Sequence, residues 1–441
     1  MKKSTLIVLV LAIALGAFVY FYDSKHSVTP PSDQASWKPA FAVKADDITG
    51  LTLERKIGNV VFSKQGSDWR ITRPVSTRAD QTAIGGIVND LSTAKIQRSF
   101  VPPPADNLSK YGLDQPAVTI EFQSKTGVQH TLRLGDKDFS NSAVYGLVGA
   151  SKNVDMLPVS LLDETDQPLS QLRDRALLEL NNAEITSITL DEPDGVVAIK
   201  KAGSTWMITK PKQVMADSSA VDSVVSSLST NKFTDVASET PDNLAKYGLA
   251  PPSVSVTVDA RDQQFHLLIG KKTDDQYYAR DPARPMVFEI SSTVYDTLNK
   301  KFFDLRDKSI VQFEPANLAD VNIHNANGTI DCSQGTTGNW TIVQPGADKG
   351  KAIQSWKVLD PIQNARANKI YDAPPAAILA HLAKPAIQIT FTDKSGKKTT
   401  VSVSAAVGES VYVRTSAGPE VYELGTQILK DFDFKAADLL M

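Results

Sequence analysis

The chain repeats itself. Trp69-Arg70-Ile71-Thr72-Arg73-Pro74 is answered by Trp206-Met207-Ile208-Thr209-Lys210-Pro211 and again by Trp340-Thr341-Ile342-Val343-Gln344-Pro345, at steps of 137 and 134 residues. A second signature, Asp106-Asn107-Leu108-Ser109-Lys110-Tyr111-Gly112-Leu113, recurs as Asp242-Asn243-Leu244-Ala245-Lys246-Tyr247-Gly248-Leu249. Pro116 aligns with Pro252, and Leu172-Arg173-Asp174 with Leu305-Arg306-Asp307. The third copy is degenerate: Ile378-Leu379-Ala380-His381-Leu382 lacks Tyr-Gly, though Pro385 keeps the register. Self-similarity at a fixed period marks one supersecondary unit used repeatedly. The 441 residues therefore divide into three ordinary domains rather than one large one.

Each copy reads alike. Residues 48–54 and 60–63 are short, β-branched alternating runs leading to the Trp69 strand, which predicts a three-stranded meander. Asp80 is an N-cap, and Ile84, Ile87, Val88 and Leu91 follow at helical spacing; Asp217, Val221, Val224, Val225 and Leu228 repeat the pattern. After the Tyr-Gly turn come strands at 118–122, 130–134 (ending in Gly135, as Ile269 ends in Gly270) and 144–148, then a closing helix, clearest at 292–303. The expected class is α+β: an N-terminal transmembrane helix, then three tandem repeats of a mainly antiparallel sheet with packed helices. The boundaries fall at 46–181, 182–314 and 315–441.

The transmembrane expectation rests on residues 1–22. Lys2 and Lys3 precede an uncharged apolar run that closes with Phe18, Tyr20, Phe21 and Tyr22. Such a run is long enough to span a bilayer, with interfacial aromatics and its positive end inside. A cleaved signal peptide, cut near Ala12-Ile13-Ala14, is the weaker alternative, because the apolar run continues past that point. Residues 23–45, with Pro30, Pro31 and Pro39, read as a tether. The implied location is the inner membrane, single-pass, with the bulk of the chain periplasmic.

Composition removes whole classes of function. With 47 basic and 50 acidic residues the net charge is −3, against the basic stripe of a nucleic-acid binder. A single cysteine, Cys332, excludes a disulfide framework and reads as a small buried hydrophobe. Five histidines without H-x-x-x-H or H-E-x-x-H spacing argue against a zinc site, and no cofactor is expected. Ser92-Thr93-Ala94-Lys95 and Lys125-Thr126-Gly127 mimic a penicillin-recognising set. That chemistry needs the Ser at a buried helix start, whereas Ser92 falls at a helix end and its tetrad recurs as Ser229-Thr230-Asn231-Lys232. Trp69, Trp206 and Trp340, recurring at one position, read as core rather than as a stacking platform. Arg173 and Arg306 read as braces at repeat boundaries. Trp37, Trp356 and Tyr371 escape the repeat pattern and are the candidate partner contacts.

W-x-I-x-x-P, the Ala-Asp helix start, Tyr-Gly-Leu-x-x-Pro, a strand ending in Gly and the closing Leu-Arg-Asp together resemble an uncharacterised bacterial domain of unknown function. The resemblance covers about residues 47–441, strongly in the first two copies and weakly in the third, which carries Pro361 inside its helix. That family occurs in membrane-anchored envelope proteins often encoded beside ABC transporters of the gliding-motility type. It implies a non-enzymatic accessory subunit docked to an ABC permease and its ATPase, and supplies no catalytic residue. An envelope glycan- or lipid-binding module is the alternative, and a hydrolase the minor one.

Overall fold

The computed structural model describes residues 37–103 and 107–441. The expected anchor, most of the expected tether and Asp106 of the first Tyr-Gly signature lie outside them. No helix among the described residues is long and apolar enough to cross a membrane. The structure therefore corrects the expected fold class at its head: the transmembrane helix is not among its elements, and the single-pass, periplasmic location drawn from it is not supported. What is present is dominated by antiparallel sheet, with short helices between many strands.

The chain forms two compact bodies whose division falls inside the second repeat. The first holds the described residues up to Asn181 with Ser227–Ser255 and Phe265–Tyr295; the second holds Asn182–Ser226, Val256–Gln264 and Asp296–Met441.

In the first body the whole first repeat builds a nine-stranded sheet. The meander Ile48–Arg55, Val60–Gln65, Asp68–Arg73 continues to the edge pair Thr77–Arg78 on one side. On the other side Val118–Ser124 pairs with Ile48–Arg55, followed in order by Gln129–Lys137, Ala143–Val148, Val154–Pro158 and Arg98–Phe100. Alternation puts Leu51, Leu53, Phe62, Ile71, Ile120, Leu132 and Leu134 on one face, all buried. The helix Gln81–Thr93 covers that face. Asp80 caps it by accepting from the Thr82 and Ala83 amides, and Ile84, Ile87, Val88 and Leu91 are buried against the sheet. At about 1.5–3 kcal/mol for each fully buried aliphatic side chain, this contact holds the layer pair together.

In the second body the third repeat builds the shorter version. Its sheet has eight strands, from Trp340–Gln344 through Leu318–Asn325 and Ile387–Asp393 to Lys369–Tyr371. The covering helix shrinks to Trp356–Gln363 with Pro361 inside it, and Val358, Leu359 and Ile362 keep the buried stripe. The motif proline of every repeat, Pro74, Pro211 and Pro345, follows a cis peptide bond.

One element was not foreseen. Lys38–Pro39 is a strand paired with Lys95–Ile96, and Phe41, only 7% exposed, meets the Phe122 ring edge-on at 4.9 Å. The same job recurs downstream: Ala176 bridges to Lys232, Ser309 bridges to Arg366, and Phe313 stacks on Phe391 at 4.8 Å. The end of the expected tether is thus a docked lead-in strand. Every repeat takes its first segment from residues lying just upstream of the boundary read from sequence.

Candidate functional site

The recurring residues are spent on the fold. Trp69, Trp206 and Trp340 are 5%, 5% and 6% exposed. The Trp206 indole donates to Asp222 at 3.2 Å, and Lys64 and Lys201 cover the first two rings at 5.9 and 5.7 Å. The Tyr-Gly turn and the strand-ending glycine, read separately from sequence, are one device. Gly112 and Gly248 adopt φ of 68° and 69°. A Cβ on Gly135 or Gly270 would stand 2.1 Å from the Tyr111 or Tyr247 carbonyl oxygen, so backbone lies directly on backbone there. Tyr111 and Tyr247 then pack edge-on against Tyr145 and Tyr278, both at 5.0 Å. In the third repeat His381 takes the tyrosine's place, stacked on Tyr412 at 5.5 Å. Ser404 replaces the strand glycine, donating to the Ala405 carbonyl and accepting from the Tyr412 amide.

The catalytic look-alikes have local partners. Ser92 Oγ donates to the Asn89 carbonyl of its own helix end, while Lys125 reaches Asp47 at 3.7 Å from the hairpin turn closed by Gly127. His130 stacks on Phe122 at 4.8 Å, and His324 Nδ1 lies 3.0 Å from the Thr329 hydroxyl. Among the described residues no group of three or more His, Cys, Asp or Glu is placed to hold a metal ion. Cys332 is buried, and burial, followed by the nearby Asp331 charge, pushes its thiol up to about 12.

Charge gathers where one repeat meets the next. Arg173, with 1% of its side chain exposed, leaves the first repeat to pair with Glu239 at 2.9 Å, and its guanidinium also contacts Met286. One period later Arg306 pairs with Asp372 at 2.9 Å, and Lys212 reaches the same carboxylate at 2.6 Å and Glu420 at 3.3 Å. Burial acts to raise the Asp372 pKa, but the bonds from Arg306 and Lys212 outweigh it and hold the carboxyl below its ordinary range. A cleft of about 360 Å³ at the first junction is lined by Arg70, Val75, Arg78, Glu239, Arg284 and Met286. Its cations are largely answered: Arg78 faces Asp68, Asp174 and Glu179, and Arg284 faces Asp281.

The three candidate contact residues do not converge. Trp37 is half-buried just before the lead-in strand of the first body. Tyr371 lies on the edge strand of the third repeat, where its hydroxyl donates to Glu423 at 2.7 Å and Lys369 covers its ring at 4.7 Å. The hydrogen bond to Glu423, then partial burial, raises its pKa. Trp356 is 57% exposed and lines a groove of about 480 Å³ with Pro361, Ala365, Leu424 and Ile428. That groove escapes sequence reading because it comes from the spacing of two helices far apart in the chain. A polar depression of about 430 Å³ on the first sheet is lined by Thr49, Thr52, Lys64, Glu121, Gln129 and Thr131.

Against known proteins, the family model described as "Domain of unknown function (DUF4340)" matches twice, over residues 69–207 and 206–381. Each match runs from one motif tryptophan to or beyond the next, so its phase differs from that of the folded repeat. No curated protein matches. Among solved structures, a DnaN sliding clamp (DNA polymerase III subunit beta) from Pseudomonas aeruginosa bound to griselimycin aligns at 7% identity, covering 87% of this chain and 92% of that one. The TM-score of that alignment is 0.15.

Proposed function

We propose, for a chain that belongs to the DUF4340 family of unknown function, a non-enzymatic role as an interaction scaffold. One observation carries the reading: the positions shared by the repeats are occupied by folding tasks, while the exposed Trp356, which breaks the repeat pattern, and its groove lie in the third repeat. Conserving a scaffold and varying one face is how a repeat array presents a binding surface. The partner we favour is an ABC-transporter-type assembly. Its support is the likeness of the repeat signatures to a domain encoded beside such transporters.

Affinity purification of the tagged full-length protein in mild detergent, with mass spectrometry, tests this. Stoichiometric recovery of a permease and an ATPase supports the assignment; recovery of the chain alone, across several detergents, sinks it. The hydroxyl- and amide-lined depression on the first sheet favours a second reading, a glycan-binding module. Saturable binding of a glycan, lost in Thr52→Leu, is the result that would prefer it.

A further inference from the structure

The groove beside Trp356 lies where the third repeat lacks a tie that the first repeat makes. In the first repeat the covering helix Gln81–Thr93 and the closing helix Ser160–Thr165 are joined by the Ser160 hydroxyl donating to Asp90. Gly86 lets the Glu164 carboxylate lie 3.1 Å from where a Cβ would stand. Val358, Leu359 and Ile362 repeat the buried positions of Ile87, Val88 and Leu91, which sets Pro361 in the place of Asp90 and Lys357 in that of Gly86. A proline side chain accepts no hydrogen bond, and a Cβ in the glycine's place makes the facing carboxylate give by a few tenths of an ångström. Between Trp356–Gln363 and Gln427–Asp431 the apolar side chains Pro361, Ala365, Leu424 and Ile428 are left lining an open groove.

Its charges are asymmetric. Asp360 and Asp431 come from the two facing helices, and Arg366 is the one cation among the lining residues. Asp431 accepts from the Gln427 amide at 2.8 Å, and neither carboxylate has an ion pair among the described residues.

We infer that this groove docks a helical segment of a partner polypeptide, with an apolar stripe flanked by Lys or Arg. The inference rests on the interaction reading above and names the chemistry of the partner. The stripe fills the groove in the helix-in-groove manner. The cations meet Asp360 and Asp431, while the stripe packs against Trp356, whose ring already carries this chain's own Lys357 at 5.8 Å.

The probe is a fluorescein-labelled amphipathic peptide with Leu at i, i+3, i+4 and i+7 and Lys on both flanks, titrated onto the full-length protein. Its twin carries Glu in place of Lys. The Lys peptide should bind saturably and roughly tenfold more tightly than its twin, a difference of about 1.4 kcal/mol. Trp356→Ala should weaken it by about tenfold, the loss expected of a central aromatic anchor. Asp360→Lys with Asp431→Lys should reverse the preference. Asp431→Asn alone, isosteric and on the surface, should give part of the loss in a protein that melts like the wild type. Equal binding of the two peptides, no binding of either, or indifference to Trp356→Ala overturns the inference. The scaffold reading fails separately: if partners copurify with wild type and Trp356→Ala alike, only the groove is wrong, whereas no partner with wild type removes the scaffold itself.

Discussion

Replacing Gly135 by Ala puts the sharpest packing feature of the fold under test. The new Cβ would lie 2.1 Å from the Tyr111 carbonyl oxygen. A carbon and a carbonyl oxygen in close contact sit about 3.3 Å apart, so roughly 1.2 Å must be found. Neither partner is a side chain that can swing away. Tyr111 is fixed by the left-handed Gly112, whose own Cβ position is 2.7 Å from Asp136. The turn therefore has to lift from the strand Gln129–Lys137. Forced backbone shifts cost about 1–3 kcal/mol. Lifting the turn also partly exposes Tyr111 and Leu113, buried with Leu147 and Val154, which adds about 2 kcal/mol. The expected loss is about 3–5 kcal/mol, a large share of the stability of one domain. Urea unfolding followed by hydrogen exchange of the 108–113 segment reads it directly. Gly270→Ala should cost as much against Tyr247, whereas Ser404→Gly should cost about 1–2 kcal/mol, from two lost hydroxyl bonds and glycine's added freedom. A Gly135→Ala protein within about 1 kcal/mol of wild type would refute the reasoning.

Other consequences are as direct. With its thiol pushed up to about 12, Cys332 should react with a disulfide reagent at pH 8 roughly a thousandfold more slowly than a free cysteine, and at the ordinary rate in denaturant. Asp372 has its pKa lowered in the fold, so its stabilising share is fully present above the unfolded carboxylate value and disappears as pH falls through the folded one. Acid titration of unfolding should show that limb, and Asp372→Asn should flatten it; an unchanged limb would remove the Arg306–Asp372 contact from the account. Phe41→Ala should cost about 3 kcal/mol and free the lead-in strand, seen as new proteolytic cleavage near residues 37–45 without cleavage in the third repeat.

Periodicity made the fold legible where one face is buried. The helix Gln81–Thr93, its Asp80 cap and the meander before it follow from alternation and spacing, and the burial of the three motif tryptophans from their recurrence at one position. The apolar stretch at the head of the chain suggested a spanning helix that the described structure does not contain. The lead-in strand was missed because two residues, Lys38–Pro39, carry no alternation and a proline argues against pairing. Contacts long-range in sequence, the pairing with Lys95–Ile96 and the Phe41–Phe122 packing, reveal it. The candidate residues fared according to what each needed. Trp356 could be named as exposed because it breaks the repeat, yet its groove depends on Leu424 and Ile428, more than sixty residues away. The Arg173–Glu239 pair was half visible: the arginine recurs in the sequence, but its acceptor belongs to the next copy.

The lead-in strand also bears on how such a chain can grow or shrink. Lys38–Pro39 does for the first repeat what Ala176 does for the second and Ser309 for the third. A segment that serves as the tail of one copy is at the same time the first paired segment of the next. A deletion or duplication of one whole period, wherever it begins, therefore reconnects a strand to an equivalent partner and leaves no orphaned edge. The gene needs no fixed cutting point between copies, and a period counted from one motif tryptophan to the next is as valid a building block as the folded repeat itself.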